Sequence, residues 1–347
     1  MIDIPKHTIH ENECIIDALK KINDIPKELT LFVLDHSNKL IGTLTDGDIR
    51  RGFLKGLKLS DPVDLFANRN YSKIFENNID PIIIKGLKEK GVKLLPVVDK
   101  NSYIVQVIDF SRVKNSLPFD VVIMAGGRGE RLRPLTDTIP KPLLKIGDKS
   151  IIEHNIDLLC SYGVRNFYIS IRYLGEQIES QIGDGTSRGV KIEYIREEKP
   201  LGTIGAVRSI KKFNFDYLLV LNSDILTTLD YEDFFLDCIN QNADLSVVTI
   251  PYTQDIPYAV LETSNNHILS FKEKPSYTYY SNGGIYLIKS KLIDKIPRDT
   301  YYNTTDLMQE LIEGGQRVIS FPMRQYWLDI GKPEDFEKAK NDIKHIH

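Results

Sequence analysis

An α/β fold with a mostly parallel sheet, preceded by a smaller α+β module, is what the sequence predicts. Two patterns carry that expectation. From residue 120 onward, short apolar runs at 120–124, 166–171, 190–195, 217–222, 243–250, 283–288 and 317–322 read as strands. Helical patterns lie between many of them, for instance 151–163, closed by Gly163. Strands alternating with helices argue for a sheet covered on both faces, whose ligands bind beyond the strand C-termini. Before residue 117 the pattern differs. Residues 28–51 and 91–113 resemble one another, each with an apolar strand, an Asp followed by a polar turn, a second strand and the start of a helix. Helix-period stretches precede both copies, at 14–22 and 74–91. A repeated unit of this size pairs with its copy, because neither buries its apolar face alone. The seam falls at SLPFD, residues 116–120, where Pro118 stops any helix running through 111–115. The expected division is therefore 1–58 and 59–117 for the two repeats and 118–347 for the larger domain.

A chain of 347 residues buries a full core without disulfides or a structural metal. Forty-five Lys and Arg against 48 Asp and Glu leave a net charge of -3. That balance gives no broad basic surface for nucleic acid or an anionic membrane. Cys14, Cys160 and Cys238 are scattered and read as free buried thiols of a reducing compartment. The N-terminal MIDIPKHTIHENECIID carries acidic residues where a secretory signal has its apolar core. No apolar run approaches the ~18 residues of a membrane helix. A cytoplasmic, multi-domain enzyme is expected, with no nucleic-acid or membrane partner.

The strand at 120–124 runs into Gly126, Gly127 and Gly129. Glycines there let the backbone approach a ligand and turn N–H groups onto phosphates, and Arg128, Arg131 and Arg133 add charge. A dinucleotide fingerprint fails, since Leu132 occupies the third glycine position and Pro134 breaks the helix early. A Walker loop fails too, for want of Gly-Lys-Ser/Thr. A plain turn explains the glycines but not the arginines, so the loop reads as a triphosphate site. Asp224 stands just past the strand at 217–222, and Asp329 stands in WLDIG much later. Two carboxylates from different strand ends can hold Mg²⁺, with phosphate oxygens and water completing its shell.

GGRGERLRPLT (126–136) followed by PKPLL (140–144) strongly resembles the sugar-phosphate nucleotidylyltransferase family, over roughly residues 119–340. That family joins a nucleoside triphosphate to a sugar 1-phosphate and releases pyrophosphate. The resemblance implies a Rossmann-like mixed, mostly parallel sheet, the nucleotide-diphospho-sugar transferase fold. It implies that Gly126, Gly127, Gly129 and Arg131 bind the triphosphate, that Lys141 sits on the reacting α-phosphate, and that Asp224 and Asp329 hold Mg²⁺. EEKPLGT (197–203) resembles the base-recognition loop, with Gly202 meeting ribose and base and Glu197 where a base-contacting side chain is expected. A carboxylate can accept from N1–H and the N2 amino group of guanine, a pairing that uracil and thymine do not offer. The expected donor is therefore GTP; the other reading makes Glu197 a surface charge and leaves the base to the backbone. FKEKPS (271–276) and SNGGIYLI (281–288) resemble the sugar-phosphate half-site, with Glu273, Lys274, Asn282 and Gly283 as its residues. One departure is Ala259 beside Tyr258, where the family commonly has glycine. Trp327 is expected to pack and orient the Asp329 segment.

In the first N-terminal copy, GTLTDGDIRR (42–51) resembles the cystathionine-β-synthase (CBS) motif. That family's Thr and Asp contact the phosphate and ribose of an adenine nucleotide, which implies such a role for Thr45 and Asp48. The second copy departs, with Ile108 and Ser111 at those positions. Two roles are open to Thr45 and Asp48: an adenine-nucleotide site, or a helix cap in a purely structural pair. CBS pairs often associate, so a homo-oligomer is expected. A CBS pair fused to a GTP-using transferase is similar to the glucosamine-1-phosphate guanylyltransferases of bacterial legionaminic acid biosynthesis. Mannose- or heptose-1-phosphate guanylyltransferases and uridylyl or thymidylyl enzymes are the alternatives. A rival of another class is an inactive binding protein that senses adenine nucleotides.

Overall fold

The computed structural model describes residues 3–25 and 29–346. The chain forms two compact units, Met1–Pro118 with Cys160–Gly163, and Phe119–Leu159 with Val164–His347.

The smaller unit is a structural repeat. Strands Thr8–His10, Thr30–Leu34 and Leu40–Thr45 make one three-stranded sheet; Ile74–Phe75, Leu94–Val98 and Ile104–Asp109 make the other. In each, the first pair is parallel, the second antiparallel, and a helix joins the first strand to the second: Ile15–Asp24 in one copy and Pro81–Glu89 in the other. Finer detail repeats as well. The antiparallel pairs slip register at Val33/Leu34 and at Val97/Val98. Asp35 Oδ1 accepts from the backbone of Ser37 and Lys39, and Asp99 Oδ1 from Asn101 and Tyr103. Asn38 and Ser102 both take positive φ in these turns. Phe32, Leu34 and Leu40 of one copy bury their side chains with Leu94, Val98 and Val107 of the other. Each apolar face is thus completed by its copy.

Two expectations for this unit change. The stretch 74–91 is not helical throughout. It opens with the strand Ile74–Phe75, and the helix starts at Pro81, whose fixed φ suits a first helical turn, behind the N-cap Asp80. The copies also end differently. The first closes on the helix Asp46–Leu54, whose N-cap Thr45 forms a capping box with Asp48. The Thr45 N–H donates to Asp48 Oδ2 at 2.8 Å, the Asp48 N–H donates to Thr45 Oγ1 at 3.3 Å, and Asp48 also pairs with Arg51. The second copy ends in a turn. The register of the two sheets sets Asp109, not Ile108, in the place of Thr45, and Arg112, not Ser111, in that of Asp48, so no capping box forms and Asp109 accepts from the Ser111 N–H and hydroxyl. Replacing Asp48 with alanine is expected to lower stability by about 1–2 kcal/mol, the worth of a strong cap. An unchanged urea midpoint for that variant would remove the capping role.

The seven strand candidates beyond residue 118 are the seven strands of one sheet. Its order is Lys191–Arg196, Asn166–Ile171, Phe119–Ala125, Tyr217–Asn222, Ser276–Lys289, Leu245–Asp255, Val318–Pro322. Only Ser276–Lys289 runs antiparallel to its neighbours. The fold is mixed α/β with a mostly parallel central sheet. Val121, Val122, Ile123, Leu218, Leu219, Ile285 and Leu287 are fully buried, as strands covered on both faces require. The helix Thr304–Glu313 has a capping box between Asn303 and Asp306, and Pro333–Asp342 forms the C-terminal helix. Of the three free cysteines only Cys238 is buried, and burial pushes its thiol up to about 12; Cys14 and Cys160 are half-buried. No described helix is long and apolar enough to cross a membrane.

Candidate active site

Four parallel strands end at one cleft of about 580 Å³. Each supplies the residue at or just past its C-terminus: Gly126 after Phe119–Ala125, Arg172 after Asn166–Ile171, Glu197 after Lys191–Arg196, and Asn222 with Ser223 at the end of Tyr217–Asn222. This is where an open α/β sheet leaves backbone N–H groups free for a ligand.

The glycine loop forms one wall. At Gly127 a Cβ would meet nothing within 4 Å, so this face of the backbone is open. Gly129 adopts φ +64° ahead of the 3₁₀ turn Glu130–Leu132, and the Thr136 hydroxyl donates to its carbonyl at 2.9 Å. A Cβ on Gly129 would stand 3.1 Å from the Cβ of Lys141, which is how closely the loop packs on the Lys-Pro segment. Pro140 and Pro142 bracket Lys141 in a tight 3₁₀ turn and hold the lysine 8% exposed.

Lys141 forms an ion pair with Asp224. The strand Ile225–Thr227, directly after Asp224, pairs antiparallel with Trp327–Asp329, in a register that sets Ile225 opposite Asp329. The Ile330 N–H donates to the Asp224 carbonyl at 3.0 Å and fixes the two segments at the acidic end. Burial, and then the neighbouring Asp224, push the Asp329 carboxyl above the ordinary carboxylate range, while Lys141 and Arg131 pull it back. Arg131 joins the group from the glycine loop, its guanidinium 3.4 Å from where a Cβ on Gly331 would lie. Arg131, Lys141, Asp224 and Asp329, separated by up to two hundred residues in sequence, are thus brought together. Asp329 Oδ1 is buried with no hydrogen-bond partner. An orphaned carboxylate oxygen beside a second carboxylate fits a divalent cation. Among the described residues no group of three or more Asp, Glu, His or Cys could hold one, so substrate oxygens would have to complete its shell.

The opposite wall is the segment 197–205. Gly202 takes φ +80°, and a Cβ there would fall 2.5 Å from the Tyr302 carbonyl oxygen. The Tyr302 N–H donates to the Leu201 carbonyl at 3.0 Å, and the Thr203 N–H donates to Asn303 Oδ1 at 3.3 Å. Glu197 lines the cleft but is 9% exposed. It accepts from the Ser170 hydroxyl and from the Leu201 N–H at 3.1 Å, so it holds the loop in place. It is therefore not a surface charge.

The four residues of the expected sugar-phosphate half-site separate into two groups. Asn282 and Gly283 lie where the strand Ser276–Lys289 joins the sheet. Asn282 Oδ1 accepts from the Gly284 N–H at 2.9 Å, and the Gly283 carbonyl accepts from the Trp327 indole N–H at 2.9 Å. Trp327 therefore ties the Asp329 segment to that strand, as its packing role requires. None of the four is among the residues lining the cleft. Glu273 and Lys274 are exposed, on a part of the chain that leaves the sheet altogether, as are Tyr258 and Ala259. Reading the sequence alone missed Arg172, Asn222 and Tyr301 in the cleft. The first two stand at strand C-termini, and that rule could have found them; Tyr301 carries no comparable signal.

A glycine loop after a parallel strand, with two cations and two carboxylates gathered beside it, is the equipment of an α/β protein that handles phosphate-bearing ligands. Residues 120–346 match the nucleotidyl transferase family, and the chain belongs to it. Among its relatives is a mannose-1-phosphate guanylyltransferase of Mycobacterium tuberculosis, 29% identical over 230 residues, which cover 65% of this chain and 64% of that one. A UTP–glucose-1-phosphate uridylyltransferase of a Synechocystis species is 33% identical over 250 residues, with shares of 65% and 64%. The chain thus spans just under two thirds of the length of these relatives. The crystal structure of HddC from Yersinia pseudotuberculosis complexed with GMP-PN is 28% identical, with a TM-score of 0.50, covering 65% of this chain and 99% of that one.

Proposed function

We propose that this chain transfers a nucleotidyl group from GTP to a sugar 1-phosphate, giving a GDP-sugar and pyrophosphate. The observation that carries the reading is the convergence of Arg131, Lys141, Asp224 and Asp329 beside the open backbone of Gly127. The sugar phosphate attacks the α-phosphorus in line, and the bond to the pyrophosphate breaks. Its nucleophilic oxygen is already largely ionised near neutral pH, since the second pKa of a phosphate monoester is about 6. No general base is needed, and catalysis rests on positioning and charge neutralisation. Gly126, Gly127 and Gly129 present backbone N–H groups to the triphosphate. Arg131 counters the charge gathering on the leaving pyrophosphate, and Lys141 that on the α-phosphoryl group. Mg²⁺ held by Asp224 and Asp329 would supply further neutralisation of the phosphates. Gly202 lets the backbone meet ribose and base. Glu197, with two acceptors engaged, retains lone pairs that can accept from guanine. The HddC complex with GMP-PN supports a guanine nucleotide in this fold.

The sugar we propose is α-D-glucosamine 1-phosphate, in a legionaminic-acid-type surface-glycan route. This rests on reading the N-terminal unit as a CBS pair, a reading supported by its repeated strands, bulges and turns. Mannose 1-phosphate is the main alternative, supported by the mycobacterial relative. Glu273, Lys274, Asn282 and Gly283 are proposed for the sugar phosphate. Thr45 and Asp48, engaged with each other in the capping box, are proposed as the contacts of an adenine nucleotide. Pyrophosphate release measured across four triphosphates and several sugar 1-phosphates tests the whole. GTP with glucosamine 1-phosphate should give the highest kcat/KM. A preference for UTP or dTTP would overturn the guanine assignment, and no release with any pair would leave the binding-protein rival standing. AMP, ADP or ATP should raise the melting temperature; no shift with any of them would leave the CBS pair a structural role.

A further inference from the structure

Two opposite charges in the cleft stand unpaired. Glu197 accepts from the Ser170 hydroxyl and the Leu201 N–H, both neutral donors, and among the described residues no lysine or arginine pairs with it. Arg172 is half-buried and lines the same cleft, and among the described residues its guanidinium makes no hydrogen bond or ion pair. A charge drawn out of water without a partner is costly, so each suits a ligand group that completes it. The two are neighbours. Arg172 follows the strand Asn166–Ile171, two residues beyond Ser170. Side chains two apart along a strand share a face, so Arg172 projects toward the side on which the Ser170 hydroxyl holds Glu197. A Cβ on Gly126 would lie 2.8 Å from Glu197 Oε1 and 3.5 Å from the Arg172 Cβ.

Strand order separates this pair from the acidic end of the cleft. Lys191–Arg196, Asn166–Ile171, Phe119–Ala125 and Tyr217–Asn222 follow one another in the sheet. Glu197 and Arg172 therefore lie on one side of the glycine loop, and Asp224 on the other. With strands about 4.8 Å apart, Arg172 starts roughly 10 Å from the strand that leads to Asp224. That sets it with the base rather than with the cation. A carboxylate beside a guanidinium calls for a ligand with donors next to a pair of acceptors. Guanine has them: N1–H and the N2 amino group for the carboxylate, O6 and N7 for the guanidinium, with O6 next to N1. Adenine and cytosine carry an amino group where guanine has O6, which would set donor against donor. Thymine follows its O4 with a methyl group, and uracil with a C–H, so neither gives the fork a second acceptor.

We propose that Arg172 selects the base, its guanidinium forked onto O6 and N7 of guanine while Glu197 takes the N1–H and the N2 amino group. The proposal rests on GTP as the donor and is independent of the sugar. Calorimetric titration of the full chain with GTP and with 7-deaza-GTP, in which a C–H replaces N7, tests it. The wild type should bind 7-deaza-GTP about tenfold more weakly, having lost one arm of a bidentate contact. Arg172→Met should weaken GTP binding by about 10–100-fold and leave the two nucleotides nearly equal. Arg172→Lys should not restore the difference, because an ammonium is a point charge without the fork. Equal wild-type affinity for the two nucleotides would overturn the proposal without recourse to any variant. A loss in Arg172→Met that is the same for both, or full recovery in Arg172→Lys, would also overturn it and mark a phosphate contact instead. Tighter binding of UTP or dTTP than of GTP is a separate result: it removes the guanine donor itself, and this assignment with it.

Discussion

Lys141→Ala is expected to lower kcat by about 10²–10³-fold, the usual cost of removing one preorganised charge from a developing transition state. A lysine held 8% exposed by flanking prolines has few rotamers to choose from, so its ammonium is already placed before substrate arrives. In the free protein it is paired with Asp224. A triphosphate entering the cleft competes for that ammonium and releases Asp224 toward the cation it is proposed to hold. Asp224→Asn should therefore fail for a different reason, with kcat falling by a similar order while Lys141 still neutralises phosphate. The double variant separates these roles. If the two residues act as one unit, the combined loss will be far smaller than the product of the single losses. Initial rates of pyrophosphate release measure all three. Either single variant turning over near the wild-type rate would remove that residue from the reaction.

Gly202→Ala is expected to weaken triphosphate binding at least tenfold and to lower the melting temperature by several degrees. Its φ of +80° is strained for any L side chain, and the new methyl would fall 2.5 Å from the Tyr302 carbonyl oxygen. That carbonyl accepts from the Ile204 and Gly205 N–H groups, each at 3.2 Å, so it cannot yield without giving up both bonds. The segment 200–203 must move instead, and with it the wall of the cleft. Calorimetric titration of GTP, with a thermal melt of the same sample, reads both effects. An alanine variant with wild-type affinity would show that this wall does not contact the nucleotide.

The sheet was legible because each of its strands is a short apolar run bounded by turn residues, and burial on both faces demands that pattern. The glycine loop was legible because close-spaced glycines with arginines after a strand fit phosphate, whereas Lys141 stood out only through the family resemblance of its PKPLL setting. The carboxylate pair was readable only as two strand-end acids; their adjacency depends on the pairing of Ile225–Thr227 with Trp327–Asp329, about a hundred residues apart. Glu197 shows the limit at a single residue. Its position in the cleft followed from the sequence pattern, but the Ser170 hydroxyl that binds it belongs to a neighbouring strand, and no local signal links them. The strands Val260–Ser264 and His267–Lys272 were illegible for a different reason. Strands were read only up to 250 and from 283, because residues 251–282 mix polar, charged and aromatic residues without the apolar run of a strand covered on both faces. A helix start was expected in both N-terminal copies, and the second lacks it because Asp109 stands where the first copy has its capping Thr45 and engages Ser111 instead.

The two-strand pairing behind the carboxylates sets a strict tolerance on the chain that leads to it. Side chains along a strand alternate faces with a period of two residues. One residue inserted or removed within the strand Trp327–Asp329, ahead of Asp329, would turn that carboxylate away from Asp224, with the main sheet hardly disturbed. A shift of one residue in that pairing would set the apolar Leu328 or Ile330 where Asp329 now stands. The register of this short pairing is the quantity on which the acidic half of the site depends.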